Sequence, residues 1–313
     1  MAAMKGIKGM MMKPHSLIPI RNASRSSASF HNPWDDNSLQ ASLRNPWDDN
    51  PHHDTYNPNN NTLANANEFN KTKRFSLILP RSTESLSGMK KGKNLKKSGV
   101  ILETGVVLLK NYVSVSDQVK IVNTCQQFGM GRGGFYQPIT NNGGKMNLHM
   151  MCFGRNWDPK TKYNSKYRSD GSHALPLPHQ LISLAETSIK DSQAYDDRMP
   201  SMDPDICVVN FYTSTGKLGL HQDRDESESS LKKGLPVVSI SIGDSAKFLY
   251  GNSREVGKAK VVLLESGDVL IFGGKSRLVY HGVTKIIPNS APLSLLQQVK
   301  LRPGRLNLTL RQY

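Results

Sequence analysis

Cysteine is scarce: three residues in 313, Cys125, Cys152 and Cys207, lie far apart and form no C-x-x-C pair. That excludes a disulfide framework and a cysteine-rich zinc site as organising devices, and it fits a reducing compartment. Long apolar runs are missing as well. Nothing approaches the ~18 consecutive apolar residues of a membrane-spanning helix, and runs such as Val261 to Leu264 are strand-sized, so a soluble protein without membrane contact is expected. Acidic residues are absent from the first 34 positions, which carry Lys5, Lys8, Lys13, Arg21 and Arg25. Such a start resembles an organellar transit peptide and equally fits a basic leader of no address. Periodic apolar residues are lacking throughout residues 1–98, which are rich in Asn, Ser, Pro and Lys. A stretch of that kind cannot bury enough surface to offset ordering entropy and is expected to be disordered.

Positive charge is abundant. A formal net charge of +16 and a pI near 9.7 attract polyanions and make nucleic acid a natural partner, without adding sequence specificity. Within the tail, Asn32-Pro33-Trp34-Asp35-Asp36-Asn37 recurs unchanged as Asn45-Pro46-Trp47-Asp48-Asp49-Asn50, either a tandem docking motif for a partner protein or a recent duplication in a neutral linker. Lys90, Lys91, Lys93, Lys96 and Lys97 form a cluster that reads as a nuclear import signal, a backbone-contacting arm or a solvated run. Nucleus, cytoplasm and organelle all remain open as compartments, and a monomer is expected.

From Gly99 the pattern changes, and residues 99–313 are expected to form the folded domain. Gly105 to Leu109 reads as a strand, and Ser116 as the cap of a helix running through Phe128 with Val119, Val122 and Cys125 as its apolar stripe. A second helix is predicted from Leu181 to about Ile189. Between them, residues 129–167 are too irregular to be core and too aromatic to be a mere linker, and long loops of that kind are usually functional. From about residue 204 the chain becomes a succession of short strands: Ile206–Tyr212, Leu235–Ile242, Lys260–Leu264, Asp268–Phe272 and Leu306–Arg311. The expected class is α+β, a jelly-roll β core with helices outside it.

His221-Gln222-Asp223 places two metal-capable side chains at i and i+2, which share a face on an extended segment. His281 follows a predicted strand and a Gly-rich turn and could return to the same mouth. Two His and one carboxylate leave open positions on a metal, the arrangement of non-haem Fe(II) oxygenases. In Arg305-Leu306-Asn307-Leu308-Thr309-Leu310-Arg311 polar residues occupy every second position. If that face is buried, its two guanidinium groups need an anion, and a dicarboxylate suits them. The other reading is a surface strand with only its leucines buried.

Asn210-Phe211-Tyr212, Leu220 to Glu226, Ser276 to Gly282 and Arg305 to Gln312 together resemble the AlkB family of nucleic-acid demethylases over about residues 99–313, and Arg155-Asn156-Trp157-Asp158-Pro159 with Lys160 and Tyr163 resembles its first eukaryotic homologue subgroup. The resemblance implies a double-stranded β-helix in which His221, Asp223 and His281 bind Fe(II). It implies that Asn210, Tyr212, Arg305, Asn307 and Arg311 hold 2-oxoglutarate. The reaction it implies consumes O2, converts 2-oxoglutarate to succinate and releases the methyl group as formaldehyde. Asp225 and Arg277 match base-contacting positions, and residues 129–167 match the nucleotide-recognition lid, where Phe153, Trp157 and Tyr163 are the aromatics available to stack. N6-methyladenine in DNA and N1-methyladenine in RNA are the favoured substrates. Two alternatives stand beside that reading: an oxygenase of protein side chains, and a module that binds nucleic acid without turnover.

Overall fold

The strand Arg305–Arg311 has no exposed face at all: its seven residues are all buried. That follows from its place in a computed structural model, which describes residues 74–80, 98–139, 143–165, 167, 168 and 170–313. The strand is an inner member of a seven-stranded sheet covered on both sides. Among the described residues eleven strands build two antiparallel sheets. They are β1 (Ser98–Glu103), β2 (Val106–Lys110), β3 (His149–Phe153), β4 (Ile206–Tyr212), β5 (Leu218–His221), β6 (Val237–Gly243), β7 (Ser245–Gly251), β8 (Lys260–Leu264), β9 (Val269–Phe272), β10 (Tyr280–Ile287) and β11 (Arg305–Arg311). The larger sheet runs β1-β2-β9-β6-β11-β4-β3 and the smaller β5-β10-β7-β8.

Alternation divides the larger sheet between two cores. Leu306, Leu308 and Leu310 of β11, Cys207, Val209 and Phe211 of β4, and Val238, Ile240 and Ile242 of β6 point to one side. There they meet Ile121, Val122 and Cys125 of helix α1 (Val115–Gly129) and Leu181, Ala185 and Ile189 of α2 (His179–Gln193). Tyr212 and Val208 of β4 point to the other side and join Phe248, Tyr250, Val283 and Ile286 of the smaller sheet. The expected jelly roll with helices outside it is what the chain forms.

Several boundaries differ from expectation for local reasons. Helix α1 is capped by Ser114, whose hydroxyl accepts from the Asp117 N–H at 3.2 Å, while Ser116 lies inside the first turn. Gly105 is not in β2: with φ of 79° it closes the β1–β2 hairpin. The segment 129–167 was expected to stay out of the core, yet it supplies β3, with Met151 and Phe153 both at 0% exposure. β5, β7 and β10 and the short helices α3 (Glu228–Lys232) and α4 (Leu293–Val299) carry no period strong enough to be read beforehand.

The expected tail boundary at residue 98 also needs correction. Residues 74–80 dock on the domain through Phe75, Leu77 and Ile78, which pack against its core, while Leu79 of the same run stays at the surface. Leu77 is fully buried, its N–H donates to Gln126 Oε1 at 2.7 Å, and Ile78 bridges Leu301. The rest of the expected tail, with both NPWDDN copies, the acid-free start and the lysine cluster at 90–97, lies outside the described residues.

Candidate metal and co-substrate site

His221 ends β5 and His281 lies on β10, and antiparallel pairing sets the two directly opposite each other. The chain leaves β5 after His221, which carries Asp223 back over the pair. Nε2 of each histidine lies 3.6 Å from an Asp223 oxygen, and the three ligand atoms fall within 4.8 Å of one another. Each ring is oriented from behind. His221 Nδ1–H donates to Gly219 O at 2.8 Å and His281 Nδ1–H to Val279 O at 3.1 Å, which fixes the tautomer that turns Nε2 toward a metal. Burial lowers both imidazole pKa values, that of His281 to about 4 with help from His221, so both rings are neutral ligands at neutral pH. Burial alone would raise the Asp223 carboxyl. Arg311, with its Nη2 at 2.6 Å, and the two imidazoles hold it well below the usual carboxylate range.

The register of β4, β11 and β6 places the second half of the site. Arg305 pairs with Tyr212, Asn307 with Asn210 and Thr309 with Val208, so these six side chains share one face and line the cavity that holds the histidines. Leu148, Met150, Leu218, Phe248 and Phe272 add an apolar wall.

The two arginines differ in kind. Burial works against the Arg311 charge, but Asp223, the Tyr163 hydroxyl at 2.6 Å and Glu226 hold it well above its ordinary pKa. Arg305, only 1% exposed, has no ion-pair partner among the described residues, although Asp268 favours its charge. Its Nη2 donates to Ser241 Oγ at 2.9 Å, its Nε and Nη1 have no partner, and burial lowers its pKa to about 10. A buried, half-satisfied guanidinium of this kind fits an anionic ligand group. Asn210 also has an orphaned buried amide oxygen, and Tyr212, its hydroxyl pushed up to about 12 by burial, stays a protonated donor. Asn307 lines the same wall but spends its amide nitrogen on Ser239 Oγ and Ile240 O of β6. Two His, one carboxylate and an unpaired Arg across one cavity fit Fe(II) and a dicarboxylate together.

The family model described as the 2OG-Fe(II) oxygenase superfamily matches residues 105–311. AlkB of Salmonella typhimurium, an α-ketoglutarate-dependent dioxygenase, is 30% identical over 212 residues, covering 67% of this chain and 91% of that protein. This chain belongs to the AlkB family of 2OG-Fe(II) oxygenases. A DNA N(6)-methyladenine demethylase of Arabidopsis thaliana, ALKBH1C, is 49% identical over 82% of the chain. The chain spans 60% of that relative's length. The solved structure of OsALKBH1 is 51% identical, covers 69% of this chain and all of that one, and superposes with a TM-score of 0.66.

In this AlkB-family chain the residues expected on the substrate side separate. Asp225 and Trp157 line the cavity, and Trp157 Nε1–H donates to Asp225 Oδ2 at 2.8 Å. Trp157 is 6% exposed, so its ring is largely packing. Arg277, expected to touch the base, is 3% exposed and does not line the cavity. Its Nη1 donates to Asp223 O and its Nη2 to Glu226 Oε2 at 2.9 Å, bracing the metal ligand from behind. Phe153 is core, in edge contact with Phe128 rather than at the mouth. Glu226 was the unforeseen member: buried between Arg277 and Arg311, it balances two cations beside the metal site. It stands in the same short run as the ligands, but spacing alone does not reveal that it is buried.

Proposed function

We propose that this protein is an Fe(II)- and 2-oxoglutarate-dependent dioxygenase that oxidatively demethylates N-methylated adenine in nucleic acid, with N6-methyladenine in DNA as first substrate. The observation that carries the reading is the His221–Asp223–His281 triad facing the unpaired Arg305 across one cavity. The name of the Arabidopsis relative supports the choice of base.

His221, Asp223 and His281 would hold Fe(II), and Arg305, with Tyr212 and Asn210 beside it, would hold 2-oxoglutarate. With O2, those groups supply an oxidant that hydroxylates an N-methyl carbon while 2-oxoglutarate becomes succinate and CO2, and the hydroxymethyl amine then releases formaldehyde. This chain's own part is positioning. Neutral imidazoles keep Nε2 available, Arg311 and Arg277 fix Asp223 from both ends, and the Leu148–Met150–Phe248–Phe272 wall limits water. A methylated base must leave its stack to reach this depth, so single strands or flipped nucleotides are the working substrates. For compartment, the acid-free start and the lysine cluster support import into an organelle or the nucleus, and a fluorescent fusion of residues 1–98 distinguishes them.

The test is mass spectrometry of methylated DNA and RNA oligonucleotides after incubation with protein, Fe(II), ascorbate and 2-oxoglutarate under air. Methyl loss that requires both iron and 2-oxoglutarate, and that vanishes in His221→Ala together with Fe(II) binding, is the expected result. Succinate formed without demethylation of any base moves the substrate to protein. No succinate with any oligonucleotide leaves only nucleic-acid binding.

A further inference from the structure

Four described residues other than glycine have positive φ. Asn111 and Asn289 are asparagines, which tolerate that region, and Lys300 is the left-handed cap of α4. Lys162, with φ of 55°, has neither excuse. A left-handed lysine carries backbone strain that glycine would avoid, and such strain persists where the side chain has a task. The surrounding loop is built to hold it. Asp158 and Lys162 exchange both backbone hydrogen bonds, at 3.0 and 2.8 Å, while Asp158 Oδ1 accepts from the N–H groups of Lys160 and Thr161. That tight loop brings the Lys162 ammonium to 5.7 Å from the centre of the Trp157 ring and 3.8 Å from Asp225 Oδ2. The ammonium has no hydrogen-bond acceptor among the described residues, although Nζ is out of contact with solvent.

Asp225 is thus held from one side. Trp157 and Lys162 both address Oδ2, which leaves Oδ1 for a ligand in the cavity that Asp225 lines. We propose that Lys162 is a positioning residue that, with Trp157, aims the Asp225 carboxylate at the exocyclic N–H of the bound base. The inference rests on the demethylase reading above and refines it: the preferred substrate is a methylated adenine that still carries an N–H on its exocyclic nitrogen. N6-methyladenine keeps one such N–H and N6,N6-dimethyladenine has none.

Lys162→Met, Lys162→Gly, Asp225→Asn and the Lys162→Met/Asp225→Asn pair test it on single-stranded oligonucleotides carrying either base. Readouts are KM and kcat, oligonucleotide Kd by fluorescence anisotropy without O2, and the melting temperature. In both Lys162 variants KM and Kd for the monomethyl oligonucleotide rise roughly threefold to fivefold, the size of one partly screened ion pair, with kcat within about twofold. Lys162→Gly melts no lower than the parent because its backbone strain is gone. Preference for monomethyl over dimethyl substrate falls in both Lys162 variants, and adding Lys162→Met to Asp225→Asn changes nothing further. Unchanged KM and Kd in Lys162→Met overturn the proposal, and so does an equal rise in both backgrounds, which would make Lys162 a contact independent of Asp225. A parent enzyme that demethylates no oligonucleotide overturns the demethylase reading and this inference with it.

Discussion

An unpaired guanidinium between two β-sheets costs free energy in the ligand-free protein and repays it when an anion arrives. Arg305→Met therefore has two opposite signatures. Affinity for 2-oxoglutarate should fall by roughly 30-fold or more, about 2 kcal/mol, the lower bound for truncating one partner of a buried charge pair. The ligand-free melting temperature should hold or rise, since the half-satisfied charge is gone. Calorimetric titration and thermal melts read both, and a loss of stability with unchanged affinity would move the carboxylate clamp off Arg305. Another buried charge contributes to acid stability. Asp196 accepts from the Gly105 N–H at 2.7 Å, and this contact first, with Arg198 adding to it against burial, holds its carboxyl below the ordinary 3.8. A depressed folded pKa contributes stability that is present above the unfolded value and is lost as pH falls through the folded one. Asp196→Asn should therefore have a lower urea midpoint than the parent at pH 7, and the gap should narrow below about pH 4. A gap independent of pH would assign the effect to packing.

At the scale of the element, the strap formed by residues 74–80 ties together pieces distant in sequence. Its Ser76 O accepts from Arg302 Nε at 2.8 Å, Leu77 O from the Arg302 N–H at 2.7 Å, and Phe75 stacks on His149 with centroids 3.8 Å apart. The strap thus touches the start of β3 and the approach to β11, the strand that carries both site arginines. Leu77→Ala should destabilise the fold by about 2–5 kcal/mol, as other full truncations of buried leucines do. Chemical denaturation measures this, and a change under about 0.5 kcal/mol, the range of ordinary surface substitutions, would show that the strap is not part of the cooperative unit. Sequence reading passes over this element because Phe75, Leu77, Ile78 and Leu79 form a run too short to show a period. It found β4, β8, β9 and β11 because each has a β-branched or strictly alternating run, and it missed β5, whose four residues are too few to alternate visibly.

At the scale of the whole molecule, charge is distributed unevenly. Residues 1–98 hold 15 of the Lys and Arg residues and 7 of the acids, so half of the net +16 belongs to them, much of it in the cluster at 90–97. Converting Lys90, Lys91, Lys93, Lys96 and Lys97 to Gln should weaken oligonucleotide binding about equally for every sequence. It should also reduce the slope of log affinity against log salt by about one for each lysine that meets a phosphate. Anisotropy titrations at several salt concentrations check this, and an unchanged slope would confine the electrostatic footprint to residues 98–313.

Much of the site was legible in the chain because its chemistry is local. His221 and Asp223 are two residues apart, and the polar residues of β11 alternate with leucines over seven positions, so residue type and period offer a metal-binding pair and a candidate carboxylate-binding strand, and the family resemblance completes both assignments. The strand-rich jelly roll was legible for the same reason. Burial and partnership were not, because they depend on what folds over each residue from elsewhere. Only the sheet pairing decided that β11 is covered on both faces, that Arg305 has no ion pair among the described residues while Arg311 has two, and that Arg277 braces Asp223 instead of facing a base. Lys162, 63 residues from Asp225 and inconspicuous in sequence, acquires a role only because a strained loop brings its ammonium to the same carboxylate oxygen as Trp157.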